Sequence, residues 1–94
     1  GFINDQLPAA IEQAKKQKKL LLIDFAARWC PGCIRLENEV FHKKSFRDST
    51  KQFVKVRLDV DRFENSEISK KFAVKFIPTV VAVTADEQEI ARFV

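Results

Sequence analysis

Eight consecutive residues, Leu20 to Ala27, are apolar apart from Asp24. A strand with one wet face alternates apolar and polar side chains. A run without alternation belongs in the middle of a sheet covered on both sides. A chain of 94 residues has room for one such sheet and one layer of helices on each face, hence for a single domain over residues 1–94.

The flanking segments supply those layers. Asp5 to Lys18 reads as a helix, with Leu7, Ile11 and Ala14 on one face and Pro8 tolerated in the first turn. After the turn signal Pro31-Gly32, Cys33, Leu36 and Val40 share a helical face, while Arg35, Glu37, Asn38 and Glu39 read as mostly solvated. Ser45 is placed to cap a short helix to about Gln52. Phe53 to Asp59 alternates as a second strand, and Asn65 or Ser66 caps a helix with Ile68 and Phe72 inward. Thr79–Thr84 and Glu89–Val94 read as strands joined by the hairpin Ala85-Asp86-Glu87-Gln88. The expected fold is α/β: a mixed four-stranded sheet with helices on both faces, parallel where a helix crosses over and antiparallel at the final hairpin. No closing helix follows the last strand, and the chain contains no Met, so truncation at the C-terminal helix or a covering partner is expected.

Composition excludes several functions. Apolar residues at 46% and charged residues at 32% describe a globular chain rather than a disordered one. No apolar run is long enough to span a bilayer, and residues 1–7 lack the pattern of a signal peptide. Seventeen basic against 13 acidic residues give a charge of +4. The cations cluster at Lys15–Lys19, Lys43-Lys44 and Lys70-Lys71, positions that suit helix ends. No aromatic-interleaved basic stripe accompanies them, so no nucleic-acid partner is expected.

Both cysteines lie in Trp29-Cys30-Pro31-Gly32-Cys33, a C-x-x-C between a buried strand and a helix. Cys30 falls at the helix N-terminus, where backbone N–H groups favour a thiolate, and Cys33 sits one turn in, close enough to attack a mixed disulfide. This placement makes Cys30 the more exposed thiol and Cys33 the buried one. Pro31 suits the first helical turn, and Gly32 is expected to leave that turn open to a substrate backbone. Trp29 reads equally as an apolar shield for the pair or as an ordinary core aromatic. Structural zinc needs four ligands, and only Cys30, Cys33 and His42 are available from the Cys/His set, so no metal is expected. Two inert core cysteines fit poorly with a Pro-Gly turn beside Cys30.

Asp24 lies six residues before Cys30 in the apolar strand. Burial there raises a carboxyl pKa and suits it to exchange a proton with Cys33. Arg57 reads equally as a neighbour of Asp24 or as a solvated strand residue. Ile77-Pro78 opens an apolar strand, and the bond is open to either isomer on this pattern alone.

Leu22 to Cys33 resembles the active-site segment of thioredoxin-fold proteins, and Phe76-Ile77-Pro78-Thr79-Val80-Val81 resembles their cis-proline segment. Leu36 to Phe41 and Leu58-Asp59-Val60-Asp61 look like the branch that includes the C-terminal domain of the thiol:disulfide interchange protein DsbD and its small relatives. The resemblance implies a thiol–disulfide oxidoreductase, with Cys30 attacking, Cys33 resolving and Asp24 assisting. Pro78 is then cis against the sulfurs, and Trp29, Pro31, Gly32, Ile77 and Pro78 meet the substrate. It implies protein disulfides as substrates, a redox donor protein or domain as partner, and no cofactor. A reductase or electron relay is the first expectation. A disulfide oxidase or isomerase, and a binding or assembly module of the same fold, are the competing ones. A periplasmic or other extracytoplasmic setting is favoured over the cytoplasm. Thioredoxins usually carry Gly-Pro between the cysteines and a glycine in the last hairpin; here Pro31-Gly32 and Ala85-Asp86-Glu87 take those places.

Overall fold

The computed structural model describes residues 1–94. Five strands, β1 (Ile3–Asn4), β2 (Leu20–Ala26), β3 (Phe53–Asp59), β4 (Thr79–Val83) and β5 (Glu89–Phe93), form one sheet in the order β1-β3-β2-β4-β5. The first three pair in parallel, and β4 and β5 are antiparallel. The sheet therefore has five strands and not the expected four. The addition is β1, a two-residue strand beside Val56 and Arg57, too short to show any periodicity in the sequence.

Helix α1 (Leu7–Gln17) and α4 (Ser66–Lys71) cover one face; α2 (Pro31–Leu36) and α3 (Lys44–Ser49) lie on the other. β2 is central and sends Leu21, Ile23 and Phe25 to the first face, where they meet Leu7, Ala10 and Ala14 of α1, Val54, Val56 and Leu58 of β3, Val81 and Val83 of β4, and Phe72. Leu22, Asp24 and Ala26 point to the opposite face, where the buried apolar cluster is only Leu22, Phe41, Val80 and Ala82. No helix is long and apolar enough to cross a membrane.

Several local differences from the sequence reading have physical causes. The helix after the cysteines widens into a π-turn over Glu37–Phe41. That turn shifts the buried position by one residue: Phe41 is 8% exposed while Val40, expected inward, is 40% exposed. α3 starts one residue before Ser45, with Lys43 at its N-cap and no side-chain cap. It ends early because the hydroxyls of Ser49 and Thr50 bond back to the Phe46 carbonyl. Asn65 precedes α4 but caps nothing; its amide instead donates to Asp5 Oδ1 and the Asp59 carbonyl, both at 2.9 Å. In the last hairpin Glu87 adopts φ 66°, the left-handed conformation for which a glycine would be the easier residue.

Candidate active site

β2 ends at Ala26, and the chain turns through Ala27 to Trp29 into α2. Cys30 is the N-cap of that helix, and its Sγ accepts a hydrogen bond from the Cys33 N–H at 3.1 Å. Pro31 occupies the first helical position, where it has no hydrogen bond to lose. Both thiols are free.

The burial of the two thiols is the reverse of the sequence expectation. Cys30 is buried and Cys33 is half-buried. At the N-cap the Cys30 side chain turns inward onto the helix N–H, whereas Cys33 lines a cleft of about 410 Å³ beneath the helix. Burial, the hydrogen bond with Cys30 and the nearby charges of Cys30 and Asp24 push the Cys33 thiol up to about 12. At neutral pH Cys33 therefore holds its proton and needs a base to release it.

Asp24 lines the same cleft. Its register partner on β3 is Arg57, whose Nε donates to Asp24 Oδ2 at 3.1 Å. Of the two readings of Arg57, the ion-paired one holds. Asp24 Oδ1 is buried and has no hydrogen-bond partner. Burial raises the Asp24 pKa above the ordinary carboxylate range, and the hydrogen bond and charge of Arg57 offset only part of that rise.

Trp29 is not a core aromatic. Its ring is 65% exposed, anchored by Nε1 donating to Asp61 Oδ2 at 2.7 Å. Asp61 is in turn held by its own N–H on Asp59 Oδ1 at 2.9 Å. The Ile77–Pro78 peptide bond is cis. Pro78 lies against the cysteine turn: a Cβ on Gly32 would come within 3.2 Å of Pro78 Cδ. Gly32 has a packing role that the sequence did not indicate. Its missing side chain admits the proline ring. Ile77 makes no backbone hydrogen bond, and Phe76 beside it is 69% exposed.

The structure thus sets Pro78 against Gly32 between the two cysteines, with Asp24 and Cys33 in one cleft and Trp29 exposed beside the turn. The sequence reading missed Glu37 and Asp61. Glu37, read there as solvated, accepts from Arg57 Nη2 at 2.9 Å. The available signal was its spacing, one helical turn after Cys33 and on the same side. Asp61 had no such signal, because its contact with Trp29 joins residues 32 apart.

A dithiol at the junction of a central strand and a helix, its turn packed against a cis-proline just before the neighbouring strand, defines a thiol–disulfide oxidoreductase of the thioredoxin fold. The chain belongs to the Thioredoxin-like family, which it matches over residues 3–85. It is 36% identical to thioredoxin H4 of Arabidopsis thaliana over 86 residues, covering 89% of this chain and 67% of that protein. It is 32% identical to the thiol:disulfide interchange protein DsbD of Vibrio cholerae over 77 residues, covering 80% of this chain but 13% of DsbD. The disulphide isomerase of Xylella fastidiosa superimposes with a TM-score of 0.79 at 28% identity, over 93% of this chain and 70% of that one.

Proposed function

We propose that this chain reduces protein disulfides, or relays electrons to them, through Cys30 and Cys33. Cys30 keeps the attacking role that the family resemblance gives to the N-cap cysteine, although it is the more buried of the two here: its thiolate attacks a substrate disulfide, forms a mixed disulfide and expels one substrate thiolate. Cys33 gives its proton to Asp24 and attacks Cys30. The Cys30–substrate bond breaks, the second substrate thiol leaves, and two electrons have passed from the dithiol to the substrate. A redox donor protein then reduces the Cys30–Cys33 disulfide. The observation that carries this reading is geometric: Cys33 lines the same cleft as a buried carboxyl, Asp24, whose Oδ1 has no hydrogen-bond partner. A buried acid of that kind serves proton transfer and is poorly explained by stability.

The substrate strand lies along Ile77, whose free backbone groups pair with any sequence. Trp29 and Phe76 offer exposed apolar surface to a substrate. Insulin reduction followed by turbidity tests the activity, and titration of the dithiol against glutathione or dithiothreitol tests its direction. A potential near about −270 mV is expected for a reductant. The second reading is an oxidase or isomerase, favoured by the likeness to the Xylella isomerase and by Pro31-Gly32 between the cysteines. A potential well above that value would select it.

A further inference from the structure

A second cleft, of about 250 Å³, shares Arg57 and Glu37 with the first but is reached by neither Asp24 nor the cysteines. Its apolar lining is three phenyl rings. Phe41 packs against Phe2 and against Phe46, each at 4.9 Å between ring centroids. The π-turn over Glu37–Phe41 brings Phe41 inward and leaves His42, the next residue, exposed at the cleft. Single π-turns of this kind recur at functional sites.

The polar lining is cationic. His42, Arg47, Lys55 and Arg57 stand against one acid, Glu37, which is engaged by Arg57 Nη2 at 2.9 Å. Asp48, beside Arg47 in the chain, is taken by Lys44 at 2.8 Å and Lys51 at 3.9 Å. Arg47 and Lys55 are left without a carboxylate. Lys55 donates to Thr50 Oγ1 at 3.1 Å, and its Nζ lies 5.4 Å from the centroid of the Phe46 ring. An ammonium has three N–H donors, so two remain for a ligand. Burial, and then the charges of Lys19 and Arg47, hold the Lys55 ammonium below its ordinary range. Cations gathered in a concave, partly apolar site repel one another and attract an anion from solution.

We infer that this cleft binds a small aromatic anion, a single ring bearing a carboxylate or phosphate, with the ring on Phe2, Phe41 and Phe46 and the oxyanion on Lys55 and Arg47. The volume sets the size. At about 250 Å³ the cleft falls below the roughly 300–1,000 Å³ of sites for drug-sized ligands, so it suits one ring and not a nucleotide. The phenyl lining sets the body of the ligand, because offset and edge-to-face contacts reward an aromatic ring beyond the apolar area it buries. The unpaired guanidinium and ammonium set its head, because their hydrogen bonds to an oxyanion are charge-assisted. This site stands apart from the disulfide chemistry and requires no step of it.

Phenyl phosphate is the probe, titrated into the reduced chain and followed through the backbone amide signals by NMR. Inorganic phosphate and benzyl alcohol serve as its two halves. Saturable shifts are expected at Phe2, Phe41, His42, Phe46, Arg47 and Lys55, with phenyl phosphate binding roughly tenfold tighter than either half. Lys55→Gln should weaken it roughly tenfold. Arg47→Gln, at the more exposed cation, should weaken it only about two- to threefold. Both variants should fold as wild type does and exchange small disulfides at the wild-type rate, since neither residue lines the dithiol cleft. Phe46→Leu should weaken phenyl phosphate and leave inorganic phosphate unchanged. Shifts that do not saturate or that scatter over the other lysines would overturn the inference. So would equal affinities for phenyl phosphate and inorganic phosphate, or undiminished binding in Lys55→Gln.

Discussion

The two faces of the sheet are built on opposite principles. Under α1 and α4, twelve buried side chains, all apolar, form one continuous core, and β2 contributes Leu21, Ile23 and Phe25 to it at 0% exposure. Under α2 and α3 the same strand contributes Leu22, Asp24 and Ala26, β3 contributes Phe53, Lys55, Arg57 and Asp59, and the buried apolar cluster has four members. Burial of apolar area stabilises by about 25 cal/mol per Å². A buried carboxyl with an unpartnered oxygen contributes nothing of that kind and carries a desolvation cost. One face holds the fold; the other holds the proposed proton-transfer site at some expense of stability.

The largest effect expected from breaking this division lies on the apolar face. Leu58→Ala there should cost about 2–5 kcal/mol, measured by urea denaturation. That is a large part of the total stability of a domain this size. The folded fraction should still exchange disulfides at nearly the wild-type rate, because Leu58 does not touch the cleft. A proportionate loss of rate per folded molecule would show that the two faces are not separable.

Asp24→Asn is the complementary change and should act in the opposite sense on stability. The folded pKa of Asp24 lies above its unfolded value, so the neutral acid is the form that folding favours. That contribution is fully present below the unfolded pKa, near 3.8, and is lost as pH rises through the raised folded value. Denaturation across this range should show wild type losing stability with rising pH while Asp24→Asn does not. Parallel profiles would mean that Asp24 is not desolvated in solution.

Much of this division was legible in the sequence. The unbroken apolar run Leu20–Ala27 placed β2 at the centre, and the alternation of Phe53 to Asp59 assigned Val54, Val56 and Leu58 to one side. The lone carboxylate in the apolar run marked Asp24, and the cysteine spacing marked the turn. Contacts made across the sheet or across a helical irregularity were not legible. The π-turn at Glu37–Phe41 moves burial from Val40 to Phe41, and no local propensity signals it. The inversion of Cys30 and Cys33 burial depends on a cleft whose walls come from β1, β2, β3 and the helix together. Gly32 looked like a permissive turn residue, yet its contact is with Pro78, 46 positions away along the chain.

That contact gives the smallest expected effect. Gly32→Ala gains helix propensity of up to about 1 kcal/mol. It also presses a methyl group to 3.2 Å from Pro78 Cδ, a crowding cost of similar order. Thermal denaturation should therefore move little. Reduction of a protein disulfide should slow more than reduction of a small one, since in the proposed binding mode only a protein strand runs along Ile77 and Pro78. A loss equal for both substrates would place the effect on the thiols instead of on the strand-binding edge.

The division between the faces is tested most directly by the release step of a single turnover. A substrate thiol carrying a fluorophore is loaded onto Cys30 as a mixed disulfide, and its release by Cys33 is followed at neutral pH in wild type and in Asp24→Asn. With the Cys33 thiol pushed up by burial, removal of its proposed base should slow release by about 100-fold or more, while the preceding attack by Cys30 stays within a small factor of wild type. Equal release rates in the two proteins would contradict the assignment of Asp24 as the base and, with it, the reason for a carboxyl in the middle of the sheet.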